Sequence, residues 1–346
     1  MLGGPSLRPL RRFRALRFPK HSFTYLPVAH DGDVFLGDSD QSIMRLSRPQ
    51  YDVLWARRAE GFQYRAARGA SLVGTLGHSA RVLSTEDGSV RWVERFDGFP
   101  VVLGDSLFIA TGSGELVRRG LLAGEHESTT RIFDGPSRVF CTAGQRIVIE
   151  PRNREPGEIG RTRCFDVSSG TVIWEGNALE NLRGTAPKMI WGEAKRHIYS
   201  NDNLIVFRCG FEVVAIGTAT GAEVWRATVP MPHYPPPFAA FDCVFIVGGP
   251  TMTSITCLRL SDGSVAWTHE MKASRPQGFG PVHQGAVLLL CLDGLLLFLN
   301  PESGDVVGRY EGPAVGSFGV SAAEDDLLLS TEYGRIHVAR PKHGAA

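Results

Sequence analysis

The stretches VLSTEDGSVRW (82–92) and LRLSDGSVAW (258–267) carry nearly the same hexapeptide, DGSVRW and DGSVAW, 175 residues apart. They are the best-preserved copies of a looser unit: an apolar strand, a small polar residue, Gly, three residues and Trp. DVSSGTVIW ends at Trp174, GTATGAEVW ends at Trp225, and LNPESGDVVG places Gly308 where Trp would stand. LSRPQYDVLW ends at Trp55 but has no glycine.

The spacings mark a repeat. Successive endings lie 37, 82, 51, 42 and 41 residues apart from Trp55 to Gly308, and 82 calls for one degenerate copy in between. GELVRRGLLAGEHESTTRIF (114–133) occupies that place. A period near 40 with four strand-like runs per copy is the mark of propeller blades. Asp-Gly or Ser-Gly supplies the positive φ of a tight hairpin. Period-two alternation in SVAW and TVIW predicts that Val and Trp share one sheet face and pack against the next blade. Trp55, Trp92, Trp174, Trp225 and Trp267 are thus read as structural spacers between blades.

In these residues the chain resembles the proteins with pyrroloquinoline-quinone-like propeller repeats, of the quinoprotein-dehydrogenase-like and WD40-like kind. Their blade signature runs Ala-x-Asp-x-x-Thr-Gly-x-x-x-Trp, with Trp docking between blades. FDVSSGTVIW, AIGTATGAEVW and LRLSDGSVAW match its second half, and the likeness runs from about residue 22 to 340. It implies an all-β propeller of four-stranded antiparallel blades. It does not choose among quinoprotein dehydrogenases, outer-membrane assembly scaffolds and other soluble members.

Seven hairpin endings, near 55, 92, 132, 174, 225, 267 and 308, are followed by PAVGSFGVSAAEDDLLLSTEYGRIHVARPK, enough for three more strands. Propellers avoid open edges by pairing the chain ends in one blade. The expectation is eight blades, closed by an N-terminal strand within RRFRALRF (11–18); seven blades with a terminal extension is the alternative. The domain reading is a basic arm over 1–21, part of it the closing strand, a propeller over 22–340 and a tail over 341–346. Arg8, Arg11, Arg12, Arg14, Arg17 and Lys20 stand in the first twenty residues without an acidic partner, leaving the rest net negative by about five. The arm is the one segment suited to nucleic acid, anionic lipid or organelle targeting; the structural alternative is an edge strand with solvated arginines.

Composition is that of an ordinary soluble protein, with 43% apolar and 21% charged residues and a formal charge of +1. It gives no general reason to expect nucleic acid or a membrane surface as partner. No run reaches the ~18 apolar residues of a membrane helix, and no leader-like core stands at the N-terminus. The cysteines Cys141, Cys164, Cys209, Cys243, Cys257 and Cys291 form no CxxC pair and read as reduced core residues. Together these features predict a cytoplasmic protein, and the same absence of a leader or early cysteine argues against an outer-membrane scaffold.

Chemistry leaves few traces. The resemblance implies, for a working quinoprotein, a vicinal Cys-Cys pair and a calcium held by carboxylate and amide side chains, and no two cysteines are adjacent here. No HxxxH or HExxH occurs, and TGSGE (111–115) reads as a hairpin turn rather than a phosphate loop. No cofactor, metal or catalytic residue is expected. Trp191 reads as core of the fifth blade, and His197, His269 and His337 as structural histidines.

Four long segments remain: PRNREPGEIGRTR (151–163), EGNALENLRGTAPK (175–188), RATVPMPHYPPPFA (226–239) and THEMKASRPQGFGPVH (268–283). The family topology puts all four on one propeller face, and long loops in a compact domain usually carry function. Arg152, Arg154, Arg161, Met231, His233, Tyr234, Arg275 and Phe279 are the interface-type residues they hold. The leading expectation is a non-enzymatic intracellular scaffold or assembly subunit that binds another protein there. The other is an enzyme or small-molecule binder using a central channel, with Glu150, Asp202 and Asp242 as unranked candidates.

Overall fold

A computed structural model describes residues 10–17, 27–37, 42–58, 63–76, 79–96, 100–151, 162–176, 196–209, 211–229, 237–248, 253–271, 275–291, 293–311, 317–331 and 335–341. Among these residues the regular elements are all β: 32 strands in eight four-stranded antiparallel sheets. The fold is an eight-bladed β-propeller. Blades 1 to 7 take their strands in chain order, over 28–58, 63–95, 101–131, 137–176, 196–228, 238–270 and 276–311. Blade 8 joins Ser317–Ala323, Asp326–Thr331 and Arg335–Pro341 to the N-terminal strand Leu10–Arg17, which pairs antiparallel with Arg335–Pro341 from Leu10↔Pro341 to Arg17↔Arg335. The basic arm therefore supplies the closing strand.

The chain divides into two compact units, residues 64–229 and residues 1–63 with 230–346. In the first, each apolar cluster draws on two consecutive blades. Leu107, Ile109 and Leu121 meet Val73 and Val82; Phe108 meets Val139, Ile147 and Phe165; Cys141, Val148 and Trp174 meet Ile205, Phe207 and Val214. The second unit repeats the pattern. Phe245 and Cys257 pack on Val287 and Leu289, Leu288 and Phe298 on Leu327 and Leu329, and Leu328, Ile336 and Val338 on Val34, Leu36 and Tyr51. Inner strands such as Ala286–Cys291 are buried at every position because a blade is covered on both faces, and each buried Val or Leu there contributes about 1.5–3 kcal/mol.

The repeated hairpin differs from the expected tight turn. Gly88 N–H bonds Ser84 O at 3.0 Å while Ser84 N–H bonds Ser89 O at 2.8 Å, enclosing four loop residues; Gly263 with Arg259 and Gly304 with Asn300 do the same. A bulge follows, with Trp92 opposite Val82 but Val90 opposite Leu83, and the same shift at Cys164/Phe165 and Cys257/Leu258. The extra residue turns Val away from the tryptophan's face. Val90, Val172 and Val265 are accordingly 53%, 40% and 56% exposed rather than packed between blades. TGSGE forms the turn between Ser106–Ala110 and Glu115–Gly120, as its glycines predict.

Candidate functional site

The seams between blades are built by one residue constellation. Trp92 of blade 2 donates Nε1–H to the Leu121 carbonyl of blade 3 at 3.1 Å, Trp174 of blade 4 to Thr218 of blade 5 at 2.8 Å, and Trp267 of blade 6 to Pro301 of blade 7 at 2.8 Å. Each acceptor stands three residues before the turn glycine of its blade. A Cβ on Gly124, Gly221 or Gly304 would lie 2.7, 2.7 or 2.6 Å from the ring atoms of these same tryptophans. The glycine in the motif is thus needed twice, for its positive φ of 74°, 68° or 77° and for the ring lying on it.

The seam between blades 8 and 1 uses other residues. Tyr51 takes the place of the turn glycine with φ 63°, its N–H bonded to Ser47 O at 2.7 Å, and its side chain is 1% exposed. Its hydroxyl donates to Asp326 Oδ2 at 2.6 Å, and Arg340 holds the same carboxylate from Nε and Nη2, both at 2.7 Å. Arg48 pairs with Glu324 alongside at 2.7 Å. Burial alone would raise the Asp326 carboxyl, but the Arg340 and Tyr51 hydrogen bonds outweigh it and hold the group below the usual carboxylate value. Burial and the bond to Asp326 push the Tyr51 phenol up. All three of these hydrogen bonds to Asp326 are spent on the seam.

Within residues 64–229 a cleft of about 660 Å³ opens on blades 2, 3 and 4, lined by Arg68, Ser106, Arg118, Leu122, Glu127 and Val167 among others. Arg118 pairs with Glu127, donates to Ser106 Oγ at 3.0 Å and lies 5.6 Å over the Phe108 ring. Arg68 and Asp105 approach to 3.9 Å at the rim, both well exposed. The cleft offers apolar surface, a neutralised ion pair and hydroxyls. That is the inventory of a binding surface. Among the described residues no group of three His, Cys, Asp or Glu could hold a metal.

The interface residues expected from sequence are unevenly placed. Arg152, Arg154, Arg161, Met231, His233 and Tyr234 lie outside the described residues, as does Trp191. Arg275 is exposed at the start of blade 7. Phe279 is half-buried, stacked on Phe238 at 6.2 Å and tilted to Phe245 at 6.2 Å, so its ring belongs to the seam of blades 6 and 7. Of the three acidic candidates, Glu150 is bound by Arg138 Nε at 2.6 Å, Asp202 lends its carbonyl to Arg146 Nη1 at 3.0 Å, and Asp242 sits at a hairpin tip with φ 55°. The structure brings Trp92, Trp174 and Trp267 to equivalent seats; Trp55 and Trp225 hold the same register position beside the same bulge, Trp55 6.1 Å from Phe35 and Trp225 buried. The cleft itself escaped the sequence reading, although Ser128, four residues after Gly124 where Trp belongs, was a visible signal.

The buried thiols are unreactive by environment. Burial pushes Cys164 and Cys291 up to about 12, and Cys141 rises for the same reason. A hydrogen bond from Cys257 instead lowers Cys243, which is only partly buried.

The chain matches a family model described as outer membrane protein assembly factor BamB over residues 16–176 and 158–315. A relative of that name in Burkholderia pseudomallei (strain K96243) is 22% identical over 335 residues, 92% of this chain and 85% of that protein. One in Kangiella koreensis is 23% identical over 52% of this chain and 45% of its own. Among solved structures, BamB from Moraxella catarrhalis superposes with a TM-score of 0.65 at 13% identity, over 98% of this chain and 99% of that one. The C-terminal WD40 domain of Sif2 reaches 0.64 at 10% identity, over 97% and 99%. These likenesses support the propeller fold and overturn two expectations, the cytoplasmic or intracellular placement and the exclusion of an outer-membrane scaffold. The first rested on unpaired cysteines and a missing leader, the second on the missing leader and the lack of an early cysteine. These thiols are placed by packing within the blades, Cys141 with Cys164 in blade 4 and Cys243 with Cys257 in blade 6, and core cysteines of this kind report packing rather than compartment. By its match over most of its length, this chain belongs to the BamB-type family of PQQ-like β-propellers.

Proposed function

We propose that this chain is a non-catalytic, protein-binding propeller that acts as an assembly subunit for outer-membrane proteins. The observation that carries the reading is the family match across residues 16–315, in which the curated relatives bear the name of an outer membrane protein assembly factor. The chemistry of the described surface supports it: ion pairs such as Arg138 with Glu150 and Arg226 with Glu212 are internally satisfied, and the open cleft is suited to binding. The partner is engaged through the long-loop segments, with Arg152, Arg154, Arg161, Met231, His233, Tyr234 and Arg275 as its contact residues.

The test is affinity capture from detergent-solubilised envelopes of the native host, comparing wild type with the triple variant Arg154→Ala, Tyr234→Ala, Arg275→Ala. The expected result is a stoichiometric protein partner with wild type that is lost with the variant. An unchanged partner with the variant would move the interface to another face. Failure of wild type to retain any envelope protein would overturn the scaffold reading.

A further inference from the structure

The seam between blades 3 and 4 lacks the indole that closes its counterparts. Ser128 stands opposite Arg118 as Trp92 stands opposite Val82, Trp174 opposite Cys164 and Trp267 opposite Cys257, with the same bulge one residue on. Its receiving turn is nevertheless intact. Gly170 has φ 69° and its N–H bonds Asp166 O at 2.9 Å, as in the other copies. A Cβ on Gly170 would meet nothing within 4 Å, where the equivalent glycines touch a ring. The Val167 carbonyl, three residues earlier, corresponds to the Leu121, Thr218 and Pro301 carbonyls that accept an indole N–H, and no such donor reaches it among the described residues. Val167 and Glu127, which flank this seat, also line the 660 Å³ cleft.

We propose that this vacant seat receives an aromatic side chain, above all an indole, presented by a partner polypeptide. The inference rests on the protein-binding reading and gives it a second, chemically defined contact. The occupant follows from what the same chain places on the same frame three times: a flat ring against a glycine and a donor to a carbonyl. An ion is a poorer occupant, because Arg118 and Glu127 already neutralise each other there. Arg118 lies over the Phe108 ring and presents a guanidinium for a second ring to stack on. Leu122, 58% exposed at the adjacent turn, supplies the apolar rim. Ser128 and Gly170 are both exposed, and Val167 and Glu127 line the neighbouring cleft, so an occupant can arrive from outside.

The test uses the full ¹⁵N-labelled chain titrated with N-acetyl-L-tryptophanamide to about 10 mM, since a single side chain on its own binds at best in the millimolar range. Amide shifts at Leu122, Val167 and Gly170 are expected. N-acetyl-L-leucinamide should leave them in place. Ser128→Trp, which supplies the ring in cis, should weaken probe binding by about tenfold or more, while Ser128→Ala keeps it. Should Ser128→Trp fail to fold, Leu122→Glu at the exposed turn serves instead and should weaken the probe severalfold. Absent shifts, equal shifts with the leucine analogue, or undiminished binding to a folded Ser128→Trp protein would each overturn the proposal. Probe binding is read without any partner. An inert seat beside a successful envelope capture therefore refutes the seat alone, and an occupied seat with no captured partner refutes the scaffold reading alone.

Discussion

Removing the Asp326 carboxylate should open the seam of blades 8 and 1 in a way that a double-mutant cycle can read. Asp326 is 2% exposed and accepts three hydrogen bonds, one from Tyr51 and two from Arg340. Asp326→Ala strands a guanidinium and a buried phenol, which places its cost at about 3–5 kcal/mol. Tyr51→Phe loses one bond to a charged acceptor, about 1.5–3 kcal/mol. Once Asp326 is gone, however, the Tyr51 hydroxyl is a buried donor without its acceptor, and removing it should be close to neutral. The double variant should therefore cost about as much as Asp326→Ala alone, with a coupling of about 1.5–3 kcal/mol. Urea unfolding followed by tryptophan fluorescence gives the four stabilities. Single losses that add to within about 0.5 kcal/mol would refute the linkage. Acidity supplies an independent check. Because the Asp326 carboxyl is depressed in the folded protein, its contribution is complete above the unfolded carboxyl value, about 3.9, and is lost as pH falls through the folded value. Tyr51 is raised, so its contribution is complete below about pH 10 and lost above it. The gap between wild type and Asp326→Asn should close in acid.

Three further outcomes follow from the seams and the thiols. Gly221→Ala and Gly304→Ala each force a Cβ to within 2.7 Å of an indole and should cost about 2–4 kcal/mol by urea unfolding, strain and overpacking together, while Gly170→Ala, with open space at its Cβ, should cost only about 1–2. Trp174→Phe puts a smaller ring in the seat and loses the bond to Thr218, and should lower stability by about 1–3 kcal/mol, with Trp174→Ala costing about 3–5. In the native protein at pH 8, mass-spectrometric mapping of a thiol reagent should find Cys243 modified before Cys141, Cys164 and Cys291; prior labelling of any of those three would contradict the burial assigned to them.

Most of the fold was legible because its signal is local and repeated: DGSVRW and DGSVAW fix a turn and a docking residue within ten positions, and the period carries the rest. Blade count was legible from topology, since three leftover strands need a fourth and RRFRALRF was the segment available to supply it. The exposed valines were misread because period-two alternation holds only in an unbroken ladder, and the bulge before each tryptophan breaks it. The Tyr51–Asp326 pair joins residues 275 positions apart and leaves no mark on any local pattern. Compartment was misread for another reason: buried thiols report packing, and packing is alike wherever a propeller works.

Departures from the repeat are themselves ordered by the docking rule, in which the outer strand of one blade supplies the ring and the next blade supplies the turn. Blade 7 has Gly308 in place of Trp because blade 8 takes its outer strand from the N-terminus and has no such hairpin for an indole to cover. Blade 1 has Tyr51 in place of Gly because the strand before it, Leu10–Arg17, carries no tryptophan. With no indole in that strand to seat, the turn can bear a side chain, and Tyr51 reaches back to Asp326 to make the seam from the opposite direction. The two losses, one on each side of blade 8, are thus matched by the topology and by Tyr51. At the seam of blades 3 and 4 only the ring is missing: Ser128 replaces Trp, while the glycine, its φ and the waiting carbonyl are retained. A seam freed of its ring could have dropped Gly170 for a residue less costly in chain entropy, as blade 1 did. Keeping a seat that nothing in the described chain fills is the pattern expected where the ring comes from elsewhere, and it makes Gly170→Ala the discriminating substitution: mild for stability, and damaging to the binding of an external indole.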